Sequence, residues 1–448
     1  LLTGPYDGKF ANGGEAVSLV GPFGAVIAEF TYSDDRSWPL AADGAGHALV
    51  PTGHGLDGQN EGSLSYGGNW RASTYMDGSP GVTNPAPIVD VVINEFAAHT
   101  DYTNAAKLEY DSNDWIELYN TKTTEVGLAD WYLSDSASDL KKWAIPSTDT
   151  IAAEDWKVFD EVTGFHSPIT NGFGLNKAGE QLFLSYLPGT DQDRVVDCVS
   201  FEGQENGASW GRYPDGDAYW LTTALTAGTT NALASADVVI SQFMYHPAPT
   251  VANPEDNTND EYIVLYNPTD APIQLWNEVG PWAINGGVDY TFPSNTTIGA
   301  QDYLTVVSFD PTNTAAMAAF EAAYGLLNIM GPYDGKLSND GERISLVRPQ
   351  AADLPDPTIS WVTVDEVIYS SAAPWPDAST NGTALHRIEP RHSGNDPLNW
   401  TAQPPALDYY GSWELANGLT PPSHLNDDDG DGFTNEYEYF FGLDPNSG

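Results

Sequence analysis

The alternation of apolar and polar residues predicts short β-strands, not helices, along almost the whole chain. Residues 90–96 and 114–120 alternate with a period of two, are rich in β-branched and aromatic residues, and are bounded by turn formers. In the second run Trp115 and Glu117 share one face of the strand, and Ile116 points to the other. This pattern predicts an all-β fold.

Both runs occur twice, which indicates an internal duplication at the scale of a domain. Residues 237–243 repeat the first run and residues 261–267 repeat the second, each 147 positions downstream. The back half of the repeat has a further copy, because residues 4–20 closely match residues 331–347 around a shared Gly-Pro-Tyr-Asp-Gly-Lys sequence. The chain is therefore expected to contain three related units, the first of them incomplete.

The repeats predict four segments. These are a partial β-sandwich at 1–84 with only the back half of the repeat, a sandwich at 88–232, a sandwich with a helical insertion at 236–405, and a calcium-binding segment at 412–448. The insertion is the Ala-rich stretch 313–324, the one place inside the repeats where helix is favoured. Because the linkers between the segments are short, we expect a stiff rod of units.

The repeated motifs resemble those of the lamin tail domain in its bacterial secreted form. The motifs that carry the resemblance are Val-Ile-Asn-Glu-Phe96, Asp-Trp-Ile-Glu-Leu-Tyr-Asn120, Trp-Tyr-Leu-Ser-Asp135 and Gly-Arg-Tyr-Pro-Asp-Gly216. The resemblance covers about residues 1–405 and implies tandem immunoglobulin-like β-sandwiches. In bacteria such domains are appended to secreted enzymes and surface proteins. The third unit departs from the motif, with Tyr262 in place of Trp and Val264 in place of Glu.

The first unit lacks the strands that open the repeat. A sandwich without them exposes sheet edges and half of its core, which is costly and promotes aggregation. We therefore expect the missing strands to come from upstream domains of the same chain, or from a neighbouring copy by strand complementation. A neighbouring copy would make a head-to-tail contact, which generates a filament unless it closes into a ring.

The acidic run 427–438 fits an EF-hand loop, which places oxygen ligands at alternating positions, a glycine at the sharp turn and a bidentate glutamate at the end. The predicted ligands are the side chains of Asp427, Asp429, Asp431, Asn435 and Glu438 and the carbonyl of Phe433. The segment resembles the single calcium loops of thrombospondin type 3 and dockerin-like repeats, so the expected cofactor is Ca²⁺ in a short helix–loop–helix segment. A dockerin pairs two such loops, and one is present here.

Charge and composition narrow the environment and the partners. The net charge of −47, from 63 acidic and 16 basic residues, opposes unaided binding to nucleic acid or to an anionic membrane. No apolar run approaches the length of a membrane span, so membrane insertion is not expected. Cys198 is the single cysteine, and the chain begins at Leu1 without a signal peptide. We expect a mature or excised piece of a longer extracellular or cell-surface protein.

No residue pattern favours an enzyme. The sequence Gly207-Ala-Ser-Trp-Gly211 fits a nucleophile elbow, but that motif needs a helix after the serine, and turn-forming residues follow here. The expected function is therefore structural or adhesive: a subunit of an extracellular fibre or a surface scaffold, stiffened by calcium. The alternative is an accessory region of a larger secreted hydrolase, in which exposed aromatic residues would bind carbohydrate.

Overall fold

A computed structural model describes residues 7–52, 63–98, 114–166, 172–250, 256–326, 328–351, 359–379, 382–403, 419, 426–430, 432–435 and 445–446. These residues form three β-rich units, here called units one, two and three, and the predicted all-β class of tandem immunoglobulin-like sandwiches is confirmed. Among the described residues, the model contains no helix with the length and apolarity needed to cross a membrane.

Unit one contains two separate strand pairs. Its strands are β1 (Glu15–Val20), β2 (Val26–Tyr32), β3 (Leu49–Pro51) and β4 (Trp70–Ala72). β1 pairs with β2 and β3 pairs with β4, both antiparallel. Short 3₁₀ turns connect them at Leu40–Ala42, Ser63–Ser65 and Gly67–Asn69.

Unit two is a two-sheet sandwich. Its strands are β5 (Val91–Ala97), β6 (Trp115–Asn120), β7 (Val126–Gly127), β8 (Trp131–Ser134), β9 (Trp143–Ala144), β10 (Thr150–Ile151), β11 (Trp156–Asp160), β12 (Gly179–Tyr186), β13 (Arg194–Glu202), β14 (Ser209–Arg212) and β15 (Trp220–Thr223). One sheet has the order β11-β6-β5-β14-β15 and the other β13-β12-β8-β9, while β7 pairs with β10. A one-turn π-helical segment at Glu161–Phe165, which the sequence did not predict, follows β11.

Unit three repeats this plan with additions. Its elements are β16 (Val239–Met244), β17 (Tyr262–Tyr266), β18 (Ile273–Gln274), β19 (Ala283–Gly286), β20 (Val288–Thr291), β21 (Thr297–Ile298), β22 (Tyr303–Val307), α1 (Thr314–Tyr324), β23 (Ile329–Met330), β24 (Asp334–Gly335), β25 (Arg343–Gln350), β26 (Ser360–Ile368), β27 (Ala384–Arg387) and β28 (Trp400–Gln403). The sheets have the orders β23-β22-β17-β16-β27-β28 and β24-β20-β19-β25-β26, and β18 pairs with β21. Two 3₁₀ turns occur at Thr258–Asp260 and Pro397–Asn399.

The predicted helix is confirmed, and it explains why unit three departs from the repeat motif. Asn313 caps α1 by accepting hydrogen bonds from two backbone N–H groups, and Gly325 ends it with a positive φ of 63°. Phe320 of α1 packs on Tyr262, and Val264 belongs to the same buried cluster. An apolar helix therefore covers the sheet face that carries a tryptophan and a glutamate in unit two, and a charged residue there would be buried against it.

Unit one has no hydrophobic core of its own among the described residues. In and just after the Leu40–Ala42 turn, Ala41 and Ala45 instead pack against Phe183 and Val195, on the outer face of the β12–β13 sheet of unit two. His47 of unit one accepts a hydrogen bond at Nε2 from the backbone N–H of Val195 (2.9 Å). A stretch that cannot bury its apolar residues internally thus buries them against its neighbour.

Unit one also contacts unit three, so the expectation of a simple rod is wrong. The guanidinium of Arg36 lies 2.7 Å from the Glu366 carboxylate, and the Asn69 side chain donates to the carbonyl of Ala373 (2.7 Å). Tyr66 packs against the core of unit three. In a linear array, units one and three would be separated by unit two. Unit one therefore packs at the junction of units two and three, where side chains that it cannot bury internally become buried.

Units two and three are joined directly as well. Gly203 forms a parallel β-bridge with Val362, and a Cβ atom on this glycine would lie 2.1 Å from the carbonyl oxygen of Trp361. Only glycine allows the backbones to approach this closely. Beside this bridge, Arg348 of unit three forms an ion pair with Glu205 of unit two.

Candidate functional site

The β1–β2 hairpin of unit one corresponds residue for residue to β12–β13 and β25–β26. All three hairpins slip register at the same point, directly after Leu19 in β1, Leu184 in β12 and Leu346 in β25. A β-bulge inserts one residue and increases the local twist of the strands. Because the bulge recurs at the same position in all three hairpins, individual residues of the three units can be compared, even though their loops differ.

The comparison shows that the hairpin of unit one carries a core face without a partner. Leu19 is 60% exposed, whereas Leu184 and Leu346 are fully buried. Other large apolar side chains exposed in and around this hairpin are Phe10, Val20, Phe23, Val26 and Ile27. Burying one such side chain contributes about 1.5–3 kcal/mol. Leu19 therefore occupies a position that is interior in the two complete units.

At this end of its core, each complete unit packs a phenylalanine of its leading strand between two aromatic rings. In unit two Phe96 of the leading strand β5 lies between Phe201 (4.7 Å between ring centroids) and Trp220 (5.4 Å). The corresponding distances in unit three, measured from Phe243 of β16, are 4.8 Å to Tyr369 and 5.2 Å to Trp400. The leading strand thus supplies the central ring of the cluster.

Unit one has the two outer rings, Tyr32 and Trp70, and none of its described residues forms a leading strand. Both rings line a cavity of about 870 Å³, together with the apolar side chains of Val17 and Leu49. Phe30 packs against Trp70, with 4.8 Å between ring centroids, and fills part of this cavity. The remaining space extends to the surfaces of units two and three, so the cavity lies where all three units meet.

A buried ion pair holds the leading strand of unit two in place. Both carboxylate oxygens of Asp197 accept hydrogen bonds from Nη2 of Arg212 (3.0 and 2.9 Å). Asp197 also accepts from the backbone N–H of Ile93 (2.9 Å), and Arg212 Nε donates to the carbonyl of Ile93 (2.8 Å). The pair therefore binds both backbone groups of a single residue in β5, and we call it the strand clamp.

Unit three has the same strand clamp, and unit one has neither of its residues. Asp365 accepts from Arg387 (2.6 Å) and from the Ile240 N–H of β16 (2.8 Å), while Arg387 donates to the Ile240 carbonyl (3.2 Å). By strand register, unit one carries Ala28 and Pro51 at these positions. The sequence analysis missed the clamp, although an aspartate and an arginine at matching positions of two repeats were the available signal.

The glutamates of the repeat motif form a buried network in unit two. Glu117 accepts hydrogen bonds from the side chain of Asn94 (2.9 Å) and from the backbone N–H of Gly228 (2.6 Å). Burial raises the pKa of Glu117 to about 7, since it outweighs these hydrogen bonds, and the nearby carboxylates of Glu95 and Asp215 act in the same direction. The motif therefore places acidic side chains under a loop, out of contact with solvent.

Ser209, the serine of the candidate nucleophile elbow, takes part in the same network. It opens strand β14, and its Oγ donates to Oε1 of Glu95 (2.5 Å). Ser209 is buried, as is Glu95. The hydroxyl is thus directed at a structural carboxylate beneath the loop.

The predicted calcium loop is described in part. Asp427, Asp429, Phe433 and Asn435 are among the described residues, and Asp431 and Glu438 lie outside them. Considering the described residues alone, no three acidic, histidine or cysteine side chains are grouped closely enough to hold a metal ion. Because two of the predicted ligands lie outside the described residues, the complete set of calcium ligands stays a prediction.

The described part of the loop has a defined turn. The Asp427 carboxylate accepts hydrogen bonds from the backbone N–H groups of Gly430 (2.7 Å) and Gly432 (3.0 Å). Both glycines have positive φ angles, 79° and 100°. The Asn435 side chain donates to the Asp428 carboxylate (2.7 Å), which ties the two ends of the loop together.

Comparisons with known proteins support the lamin tail resemblance for units two and three, with two tandem matches in place of the three related units expected from the repeats. The family model of the Lamin Tail Domain matches residues 84–202 and 231–365. Among solved structures, a DUF4876 family protein from Bacteroides thetaiotaomicron is 9% identical, with 62% of this chain and 88% of that chain covered and a TM-score of 0.26. A TM-score this low does not establish a common fold. No curated protein matches the sequence.

Proposed function

Because this chain belongs to the lamin tail domain family, whose model matches more than half of it, we propose that it is a non-catalytic structural or adhesive protein. It would work outside the cell or at the cell surface, as a scaffold or as a subunit of an extracellular fibre. Copies of a chain with this strong negative charge repel one another. They can pack closely only where cations screen that repulsion, so the charge suits a medium rich in cations.

The observation that carries the proposal is the way an incomplete unit holds the other two together. Side chains of unit one contact both neighbouring units, and units two and three are joined by a direct β-bridge. Contacts of this kind on three sides restrict bending between units, which a load-bearing scaffold requires. The open core face of unit one then leaves one defined surface for assembly.

Electron microscopy of the native material tests the scaffold role. We expect this chain to occur in ordered fibres or surface arrays, with antibody label repeating at a constant spacing. Label found only on dispersed particles attached to a catalytic domain would contradict the proposal and favour an accessory region of a secreted hydrolase.

We also propose that residues 427–438 bind Ca²⁺ and order the C-terminal segment. The carboxylates of Asp427, Asp429, Asp431 and Glu438 would repel one another without a cation, and calcium would neutralise them. Binding and ordering are then one equilibrium. The expected dissociation constant is about 10⁻⁴–10⁻³ M, in the range of extracellular modules.

Limited proteolysis with and without a chelator measures this ordering. Chelation is expected to make residues 412–448 sensitive to protease while the sandwich units stay intact, and Asp429→Ala should behave like the chelated wild type at any calcium level. Asp191→Ala removes an exposed carboxylate in unit two and serves as the matched control. Identical fragments from the wild type in millimolar calcium and in chelator would rule out a calcium-dependent segment.

A further inference from the structure

We propose that protonation of His47 releases unit one from the β12–β13 sheet of unit two, while unit one stays bound to unit three and the two sandwiches stay folded. Mild acid would thus change the arrangement of the three units. The inference does not depend on the proposed scaffold role. It rests on the position of His47 in the contact between units one and two, and on how both nitrogens of its ring are used.

The hydrogen bonds of the His47 ring determine which nitrogen carries the proton. Nε2 accepts from the backbone N–H of Val195 in unit two (2.9 Å), so the lone pair of this nitrogen is in use. The neutral ring therefore carries its proton on Nδ1, which donates to the carbonyl of Ser73 in unit one (2.6 Å). Protonation of Nε2 would point one N–H group at another and break the bond to Val195. The adjacent backbone bond, from Met76 of unit one to the Asp193 carbonyl (3.0 Å), would be lost as the contact opens.

His47 lies in an apolar contact, which makes its protonated form costly. Its backbone N–H donates to the carbonyl of Ala41 (3.3 Å), and Ala41 and Val195 belong to one buried apolar cluster. His47 is 7% exposed, so water could not hydrate an imidazolium there. Burial accordingly lowers the pKa of His47 from its ordinary value of 6.5, although the Ser73 carbonyl acts in the opposite direction.

The charged side chains on the segments to which His47 is hydrogen-bonded do not stabilise a charged ring. They are Asp43, Arg71 and Asp77 in unit one and Asp193, Arg194 and Asp197 in unit two. Within the described ranges, none of them forms a hydrogen bond or an ion pair with His47. Asp43 and Asp77 are exposed, and Asp197 is paired with the arginine of the strand clamp. A second proton on the ring therefore adds an unpaired positive charge to the contact.

The contacts between units one and three contain no such group. They include the Arg36–Glu366 ion pair (2.7 Å) and the hydrogen bond from Asn69 to the Ala373 carbonyl (2.7 Å), and neither involves a histidine. Arg36 also lies 3.7 Å from Glu202 of unit two, but this carboxylate is 44% exposed, and exposed pairs contribute little. Acid therefore weakens the contact with unit two and leaves the contact with unit three in place.

The pH range of the release follows from the two states of His47. Once unit one is released, the ring is solvated and binds a proton at its ordinary pKa of 6.5, more tightly than the docked ring does. The contact is therefore strongest above pH 6.5 and weakens as the pH falls below that value. Units two and three should stay folded meanwhile, because burial raises the pKa values of Glu117 and Glu261 to about 7, and both glutamates add stability as the pH falls. His386 offsets part of this gain in unit three.

The reactivity of Cys198 in the whole chain tests the proposal. This single cysteine packs against the apolar cluster between units one and two, beside the backbone of Ala41, and burial raises the pKa of its thiol to about 12. It should therefore react slowly with dithiodipyridine while unit one is docked. Protection is measured as the rate for free cysteine divided by the rate for Cys198 at the same pH. We expect protection to fall about tenfold from pH 7.5 to pH 5, the effect of losing one hydrogen bond to a charged group.

Substitutions at His47 separate its protonation from other effects of acid. Glutamine cannot take up a proton, and its Oε1 can accept from Val195 as Nε2 does, so His47→Gln should show the same protection at both pH values. His47→Lys carries a positive charge throughout and should lower protection about tenfold already at pH 7.5. His166→Gln, in unit two and outside this contact, should keep the pH dependence of the wild type.

The deciding quantity is the ratio of the protections at the two pH values, so a variant that docks more weakly still gives an answer. Equal protection of the wild type at pH 7.5 and pH 5 would overturn the proposal. A fall in His47→Gln as large as in the wild type would assign the release to another group and overturn it too. Circular dichroism that loses its β-sheet signal at pH 5 would show that acid unfolds the sandwiches and does not act on this contact alone.

Discussion

Arg387→Ala is expected to destabilise unit three by about 3–5 kcal/mol, the usual cost of leaving one partner of a buried ion pair without the other. The side chain of Arg387 is 2% exposed and that of Asp365 is 9% exposed, so water cannot replace the lost partner. The carboxylate would remain beside the backbone of β16, and the carbonyl of Ile240 would lose a donor. Hydrogen exchange read by mass spectrometry should show faster exchange in β16.

The repeat offers matched controls for this experiment. Arg212→Ala removes the same clamp from unit two and should accelerate exchange in β5 in place of β16. Lys122→Ala breaks a solvent-exposed pair with Asp90 (3.2 Å) and should cost less than about 1 kcal/mol. If Arg387→Ala and Lys122→Ala have the same effect on urea unfolding, the strand clamp does not hold the leading strand.

The sequence could predict the elements of this fold because each leaves a local signal. Alternation with β-branched residues indicated strands at 90–96 and 114–120, which form at Val91–Ala97 and Trp115–Asn120. The duplication indicated the same strands in unit three. Helix α1 was predictable because an N-cap asparagine, an alanine-rich run and a terminal glycine lie within a dozen residues. The match of residues 4–20 to residues 331–347 predicted the β1–β2 hairpin, in which Leu19 is exposed.

The arrangement of the units could not be predicted in this way. Contacts such as Arg36 with Glu366 join residues far apart in sequence, and no periodicity marks them. His47 and Tyr66 lie in irregular segments, where a local pattern cannot distinguish a docked side chain from a solvated one. The strand clamp is similarly non-local, since its aspartate and arginine are on strands of different sheets. Local propensity determines the strands, whereas such long-range pairs determine how they assemble.

Stability should fall as the pH rises through neutrality, because several buried glutamates bind protons more tightly in the folded protein. Burial raises the pKa values of Glu117, Glu180 and Glu261 to about 7, against an ordinary value of 4.5. Between these values the folded state holds more protons than the unfolded state. The stabilisation is complete below pH 4.5 and is lost as the pH rises through 7. For the fully buried Glu117 it amounts to about 3 kcal/mol.

Histidines act in the opposite direction over a lower range. Burial lowers the pKa of His386 to about 4 and also lowers that of His47, so the unfolded state binds these protons more tightly. The contribution of His386 to stability grows as the pH rises from about 4 to 6.5 and is constant above that, and the contribution of His47 changes in the same direction. The two effects partly cancel below pH 6.5, and the carboxylates dominate above it. A single glutamate is therefore best isolated by comparing variants across the same pH range.

Glu117→Gln isolates this contribution, because glutamine cannot ionise. Each carboxylate oxygen of Glu117 accepts a hydrogen bond, one from Asn94 and one from Gly228, and the NH₂ group of glutamine cannot accept either of them, so the variant should be the less stable protein at pH 5. Between pH 5 and pH 8 the wild type should lose up to about 3 kcal/mol of stability relative to the variant, because it then holds a buried charge near Glu95 and Asp215. Glu125→Gln, at an exposed position, should leave the pH profile unchanged. Parallel profiles for the wild type and Glu117→Gln from pH 5 to 8 would show that Glu117 is ionised throughout, and that its hydrogen bonds from Asn94 and Gly228 outweigh its burial.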